Sequence, residues 1–502
     1  MTTATSTPTS TPVSTALFIG GQRRETASTM AIANPAKPGV IVGYAASATP
    51  DDVRDAVAAA KSAYPKWAAL TPPRRAEQML AALTGIDGAN RDADAEILSE
   101  ENGKIRVEAW VDSLVLEIRW KLALSHAGEV DAARVLPPVA GAIPVETTVS
   151  YQPLGVVSII VPFNWPIAIL GASLPHALLA GNTVIVKPPL TAPLATTRVV
   201  QRIAEQLPPG VLNVVTGPDA NMAALIRNPD VAKVCFTGSV GGGRKIMEMA
   251  SASLTRVTLE LGGNDAAVIL QDAILDDVHL DRLFAAIYDT TGQICMNAKR
   301  VYVHRSRMDE VVNGLSARLQ KAKLGYGLDA GTTMGPLHSP AQKQFVEALI
   351  QEAKDAGARV LEFGELPGGD MSGGNFVRPA IVIDPDPTLR VVTEEQFGPV
   401  IPLLPFDSEE DAVRAANDSW AGLAGSVWTA DAAAADRVGN QLVCGYVWVN
   451  DHGATRLDLR APFGGMKASG IGREQGIEGI RAFQDTRAIA HLDAATLATL
   501  QH

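Results

Sequence analysis

Between residues 156 and 261 the chain alternates short β-branched runs with helical segments, and few folds satisfy that alternation. "VVSIIV" (156–161) reads as a strand; Asn164 and Pro166 then start a helix that Gly181 stops. "TVIVKP" is a second strand, and the helical "TAPLATTRVVQRIAEQL" ends at "PPG". "VLNVVTG" is a third strand, followed by a helix near 220–227. "VAKVCFTG" is a fourth, running into the helix start "GGGRKIMEMA", and "LTRVTLEL" (254–261) is a fifth. Strands that alternate with helices in this way imply an α/β fold built on a parallel, doubly wound sheet. Ligands of such sheets bind beyond the carboxyl ends of the strands. Past residue 264, "AAVIL", a helix from about 278, "RVYVHR", a helix through 308–323 and "VVTEEQFGPVIPLLPF" suggest a second α/β domain.

A chain of 502 residues is too long for one ordinary core and suggests about three domains. Its net charge of −11 gives no electrostatic reason to bind nucleic acid or an anionic membrane. The Thr-, Ser- and Pro-rich start lacks a basic region and a long apolar run, so it reads as a disordered tail, residues 1–16, and not as a signal. No stretch reaches the roughly 18 apolar residues of a membrane span. The longest candidate, "WPIAILGASLPHALLAG", contains Pro and His and is better explained as a buried helix. The 3 cysteines suit neither a disulfide framework nor a metal site, so no metal is expected and a reducing cytoplasm is the default compartment.

Several residues have both a chemical and a plain structural reading. In "FTGSVGGGRK" (236–245), Gly238, Ser239 and the following glycines sit between a strand and a helix start, where backbone N–H groups and the helix dipole favour an anion. A Gly-rich turn with no ligand fits the same residues. Lys187 ends "TVIVK" and reads as a ribose contact or a solvated strand end. Glu260 in "LELGG" places a carboxylate in an apolar strand, costly unless functional or paired. Asn164 has the alternative of a helix cap. Cys235 and Cys444 lie in strand-like runs, as small buried hydrophobes do, whereas Cys295 sits in "TTGQICMNAKR" (290–300), among Gly292, Gln293 and Asn297.

Together, "PFNWP", "GNTVIVKP", "FTGS", "LELGGN", "GQICM", "EEQFGPV" and "PFGGMKASGIGRE" resemble the aldehyde dehydrogenase superfamily in order and spacing, over nearly all of the chain past the tail. The resemblance implies Cys295 as the nucleophile, Asn164 and the Cys295 N–H as the oxyanion site, and Glu260 as the base that activates the deacylating water. It implies a dinucleotide held by Lys187, Gly217, Phe236, Gly238, Ser239, Leu261, Glu395 and Phe397. It implies a substrate pocket from Trp165, Ile169, Ala172, Ile294, Met296 and Phe463, to which His452 in "WVNDHG" is added as a residue placed to contact substrate. The domains it implies are dinucleotide-binding (17–130 and 153–263), catalytic (264–480) and oligomerisation (131–152 and 481–497), in a homodimer or homotetramer.

Apart from His452, whose alternative is a structural role, the pocket residues are apolar. They favour a neutral aldehyde, aromatic or medium-chain aliphatic. The alternative is a carboxylate-bearing semialdehyde, for which Arg456 or Arg460 in "DHGATRLDLR" would have to reach the pocket mouth instead of pointing into solvent. Many relatives that prefer NAD carry a glutamate at the position of Leu190. Without it NADP meets less repulsion, yet no Arg or Lys occurs in 188–195, so NAD is expected with NADP also accepted. A CoA-acylating relative would need no water-activating base, and Glu260 argues against that reading.

Overall fold

The structure is a computed structural model, and it describes residues 12–86, 88–139 and 145–492. The five strands expected between 156 and 261 form the parallel centre of an eight-stranded sheet. Across the sheet run Arg256–Glu260, Val231–Thr237, Val156–Ile160, Thr183–Lys187 and Leu212–Val214, each parallel to its neighbour. Gly470–Ile471 closes one side, and Leu17–Ile19 with Gln22–Arg24 the other, in antiparallel pairings. Chain order reverses between Val156–Ile160 and Val231–Thr237. At such a reversal the two following loops diverge and leave a crevice; here those loops carry Asn164 and Gly238–Ser239.

Helix Pro166–Ala180 lies under this sheet with nearly every residue buried, as an apolar run interrupted by Pro175 and His176 should. Gly181 ends it in the left-handed region (φ 103°), which a residue with a Cβ would adopt only under strain. Asn164 is not its cap: Trp165 holds that position, and the Asn164 side chain points elsewhere.

A second, seven-stranded sheet orders Arg359–Glu362, Ala380–Ile383, Val400–Phe406, Ala298–His304, Asp265–Ile269, Ala424–Trp428 and Tyr446–Val449, parallel except for the first pair. Each sheet is covered by hydrophobic clusters. Cys295 lies on the approach to the central strand Ala298–His304, beside Asp265–Ile269. Gln484–Leu492 pairs antiparallel with Val145–Pro153, which also pairs with Arg134–Leu136. Residues of Gln484–Leu492 after Gln484 are exposed on both faces. Residues 140–144 and 493–497 of the expected oligomerisation segment lie outside the described residues.

One expectation needs correction. Val13–Thr15, placed in the disordered tail by composition, forms a strand parallel to Ile41–Ala46, pairing Val13 with Gly43 and Thr15 with Ala45. Thr and Val are β-formers once a partner edge exists, and Gly43 permits the approach: a Cβ there would collide with the Val13 backbone. Residues 1–11 lie outside the described residues. Among the described residues, no helix is long and apolar enough to cross a membrane.

Candidate active site

Two strand ends and one turn bring Asn164, Glu260 and Cys295 together. Asn164 follows Val156–Ile160, Glu260 ends Arg256–Glu260, and Cys295 follows a short turn at 289–292. The turn is tightly built. Thr290 and Thr291 hold left-handed φ values of 53° and 55°, and Gly292 one of 75° with its α-carbon against the Gly398 carbonyl, where no side chain fits. Such conformations persist only when surroundings over-determine them. Here the Thr290 N–H donates to Glu108 Oε1 (2.7 Å), Trp165 Nε1 donates to Thr290 Oγ1 (3.0 Å), and Asn297 Nδ2 donates to the carbonyls of Ile287 and Asp289. Lys299 Nζ reaches the Ile294 carbonyl and, at 3.4 Å, that of Cys295.

Asn164 Nδ2 donates to the Gln293 carbonyl at 2.8 Å, two residues before Cys295. An amide nitrogen has a second N–H, which remains for an incoming oxygen. Glu260 is buried, and among the described residues neither of its carboxylate oxygens is held in a close hydrogen bond, the Gly465 N–H acting on it from longer range. Burial, then the nearby Glu474 carboxylate, pushes its carboxyl well above the usual range, as expected of a group that exchanges protons in a dry site. Burial also pushes the Cys295 thiol up to about 12, with Glu395 adding to the rise and Lys299 opposing it. At neutral pH the thiol is therefore protonated, and its attack on a carbonyl requires a base.

Two cavities meet at this point. The first is lined by Trp165, Ile169, Ala172, Ile294, Met296 and Phe463, all expected from sequence, together with Asn164, Glu260 and Cys295. It offers about 720 Å³ of space, part of it open to solvent, within the range of small-molecule pockets. The second is lined by Asn164, Gly238, Ser239, Leu261, Cys295, Glu395 and Phe397. It adjoins a long groove along the sheet's switch point, lined by Lys187, Leu190, Asp219, Phe236, Gly238, Ser239 and Gly241. Ser239 caps helix Val240–Ser251 through its hydroxyl, and a Cβ built on Gly241 meets nothing within 4 Å, so the turn faces open space. Gly217 is not on this wall but backs Met222, which is. Glu395 Oε1 accepts the Gly263 N–H at 3.1 Å, and its carboxyl is raised to about 6, chiefly by burial, with Lys299 opposing.

His452 does not reach the substrate cavity. It is buried behind the catalytic loop, where its Nε2 lies 3.0 Å from the Met296 carbonyl, Nδ1 lies 2.8 Å from Ser426 Oγ, and its ring stacks on Trp448. It holds the loop from behind, so the sequence-based expectation of substrate contact is wrong. Arg456 and Arg460 do not line the cavity either; Arg460 is 77% exposed in its side chain and pairs with Asp458.

Sequence reasoning also missed several wall residues. Val111, Val115 and Arg119 come from one stripe of helix Arg106–Ser125, and Leu457, Glu474 and Gln475 from C-terminal loops. Phe163 and His338 stack at the second cavity's edge with ring centroids 3.4 Å apart. Only the four-residue spacing of Val111, Val115 and Arg119 signalled a shared face, and nothing in it says what that face meets.

A sequence model of the aldehyde dehydrogenase family matches residues 22–489. The betaine aldehyde dehydrogenase of Rhizobium etli (strain CIAT 652) is 33% identical over 461 residues, covering 90% of this chain and 91% of its own. Aldehyde dehydrogenase tropH of Talaromyces stipitatus is 35% identical, covering 94% and 90%. Among solved structures, betaine aldehyde dehydrogenase of Staphylococcus aureus in complex with NAD+ superposes with a TM-score of 0.87 at 32% identity, covering 95% of this chain and 94% of that one. An E. coli NADP dependent enzyme superposes at 0.90 with 32% identity, covering 95% and 98%. A family match of that extent, on a sheet whose switch point opens onto Cys295, makes this chain a member of the aldehyde dehydrogenase family.

Proposed function

We propose that this chain oxidises a neutral aldehyde with a hydrophobic body, aromatic or medium-chain aliphatic, to the carboxylic acid, with NAD+ as the hydride acceptor and water as the second substrate. The observation that carries this reading is the shared wall: Asn164 and Cys295 line both the apolar cavity and the glycine-bordered one. A carbonyl carbon at Cys295 therefore stands between a space for its substituent and a space for a nicotinamide.

Cys295 Sγ bonds to the aldehyde carbon as its proton passes through water in the cavity to solvent. The oxygen that becomes negative is received by the free N–H of the Asn164 amide and the Cys295 backbone N–H. A bound NAD+ would supply the hydride acceptor for that carbon, which would leave Cys295 holding the acyl group as a thioester. Glu260, in its ionised form, takes a proton from water as the water oxygen bonds to the acyl carbon; the C–S bond breaks with its electrons left on the Cys295 sulfur, and the acid leaves. Lys187, the Gly238–Ser239 turn and Glu395 would hold the dinucleotide, the last through its ribose hydroxyls.

The nucleotide preference rests on an acid outside the segment where relatives carry their glutamate. Leu190 supplies no carboxylate, but Asp219 lines the same groove with Oδ1 2.9 Å from Lys187 Nζ. A carboxylate there opposes a 2′-phosphate and ties up the cation that would attract one. NAD is accordingly preferred, with NADP accepted more weakly. The open sheet formed by Arg134–Leu136, Val145–Pro153 and Gln484–Leu492 would be covered by a second copy in a dimer or tetramer.

The test is NADH formation by the purified chain over benzaldehyde, hexanal, succinic semialdehyde and betaine aldehyde. The reading expects the first two to have the higher kcat/KM. A clear preference for the charged pair would overturn it.

A further inference from the structure

One part of the substrate cavity does not match a wholly apolar guest. Helix Arg106–Ser125 presents Val111, Val115 and Arg119 to the cavity on one stripe, and the third of these is a cation only 8% exposed. A guanidinium carries several N–H donors and no acceptor. Arg119 uses Nη1 on the Ala168 carbonyl at 2.5 Å, while Nε is sealed in without a partner. Among the described residues Nη2 makes no hydrogen bond, and no carboxylate stands in ion-pair contact with the group; Glu474 and Asp112 balance its charge from farther off. Glu474 lines the same cavity. Its Oε1 accepts the Ser173 hydroxyl, and its Oε2 has no partner among the described residues.

A buried guanidinium with idle donors is costly unless something supplies the acceptor. Apart from the two glutamates, the side-chain acceptor oxygens of the lining belong to Asn164, Thr237, Thr455 and Gln475, and among the described residues none of them accepts from Arg119. We propose that Arg119 and Glu474 form a hydroxyl-binding pair, and that the substrate is an aldehyde on an apolar, ring-sized body bearing a hydroxyl group away from the aldehyde carbon. This rests on the aldehyde oxidation proposed above. A hydroxyl oxygen accepts from Arg119 Nη2 while its proton is donated to Glu474 Oε2, so one small group satisfies both. A carboxylate has no proton to give Glu474 and adds a second anion beside it. A trimethylammonium would face the guanidinium with like charge, and an alkyl group leaves the donors idle.

The experiment compares kcat/KM for hydroxybenzaldehydes and for the methylbenzaldehydes substituted at the same ring position, with benzaldehyde, hexanal and carboxybenzaldehydes alongside, using the full chain and NAD+. A site built to hydrogen-bond a substrate hydroxyl rejects analogues lacking it, so the best hydroxyl compound is expected to exceed its methyl partner by at least about 10-fold. In Arg119→Met that ratio should fall by about 10-fold or more. Taking the ratio between enzymes cancels the effect of the substituent on carbonyl reactivity. Arg119→Lys, which keeps the charge but loses the fork of donors, should fall between the two and serves if the Met variant does not fold. A wild-type ratio near one, a ratio that Arg119→Met leaves unchanged, or a preference for the carboxybenzaldehydes would overturn the proposal. If none of these aldehydes, the hydroxybenzaldehydes included, is oxidised, the underlying aldehyde-oxidation reading fails, an outcome distinct from oxidation without hydroxyl preference.

Discussion

Replacing Asn164 by alanine should produce two separable losses. The side chain is 4% exposed and donates from Nδ2 to the Gln293 carbonyl at 2.8 Å. Its other N–H is the one assigned to the oxyanion. Deleting one donor of this kind raises the barrier by about 3–4 kcal/mol, or ~10²–10³ in kcat. Because the charge develops only in the transition state, kcat and kcat/KM should fall together, with KM little changed. Independently, the Gln293 carbonyl loses its partner in a buried loop, which costs about 1–3 kcal/mol of stability. Steady-state kinetics measure the first loss and urea denaturation the second. If stability falls by that amount while kcat falls less than about 10-fold, Asn164 only braces the loop before Cys295, and its place in the oxyanion site is refuted.

Glu260→Gln should slow turnover by roughly 10²–10⁴ and make deacylation limiting, so a pre-steady-state burst of NADH appears in stopped flow; a slow reaction without a burst would move Glu260 to an earlier step. The carboxyl of Glu395, held near pH 6, should give NAD+ affinity that is full above this value and declines as pH falls through about 6, because the protonated group loses an acceptor for the ribose hydroxyls. Titration calorimetry across that range checks the slope, and Glu395→Gln should flatten it. Asp219→Asn should raise kcat/KM for NADP relative to NAD by about 10-fold, since it removes a like charge and frees Lys187 at once; an unchanged ratio would assign the discrimination to another group.

The fold was legible in the sequence where local and global patterns agreed. The alternation between 156 and 261 specifies strands, a parallel sheet and hence a switch point, because a buried parallel strand has few alternatives to a β-branched run. The loop motifs at that point then named Asn164, Glu260 and Cys295. What stayed hidden depended on distant partners. His452 lies in a loop next to the site, and nothing local says that Trp448 stacks on its ring while the Met296 carbonyl takes its nitrogen. Val13–Thr15 is a strand only because Gly43 lets another backbone approach. Arg119 is far from Cys295 in the sequence, and its place in the cavity follows from helix Arg106–Ser125 packing on Pro166–Ala180, a contact that periodicity does not encode. Asp219 reaches Lys187 from the start of helix Asp219–Ile226, so no acid near Lys187 in the sequence announces the pair.

The central claim is a covalent path through one thiol. Glu260→Gln, mixed with NAD+ and one equivalent of benzaldehyde and quenched in acid, tests it by peptide mass mapping. The account predicts a single benzoyl group on the peptide bearing Cys295, formed in step with NADH, and none on those bearing Cys235 or Cys444. NADH formed with no acyl group on Cys295, or an acyl group on either other cysteine, would contradict it.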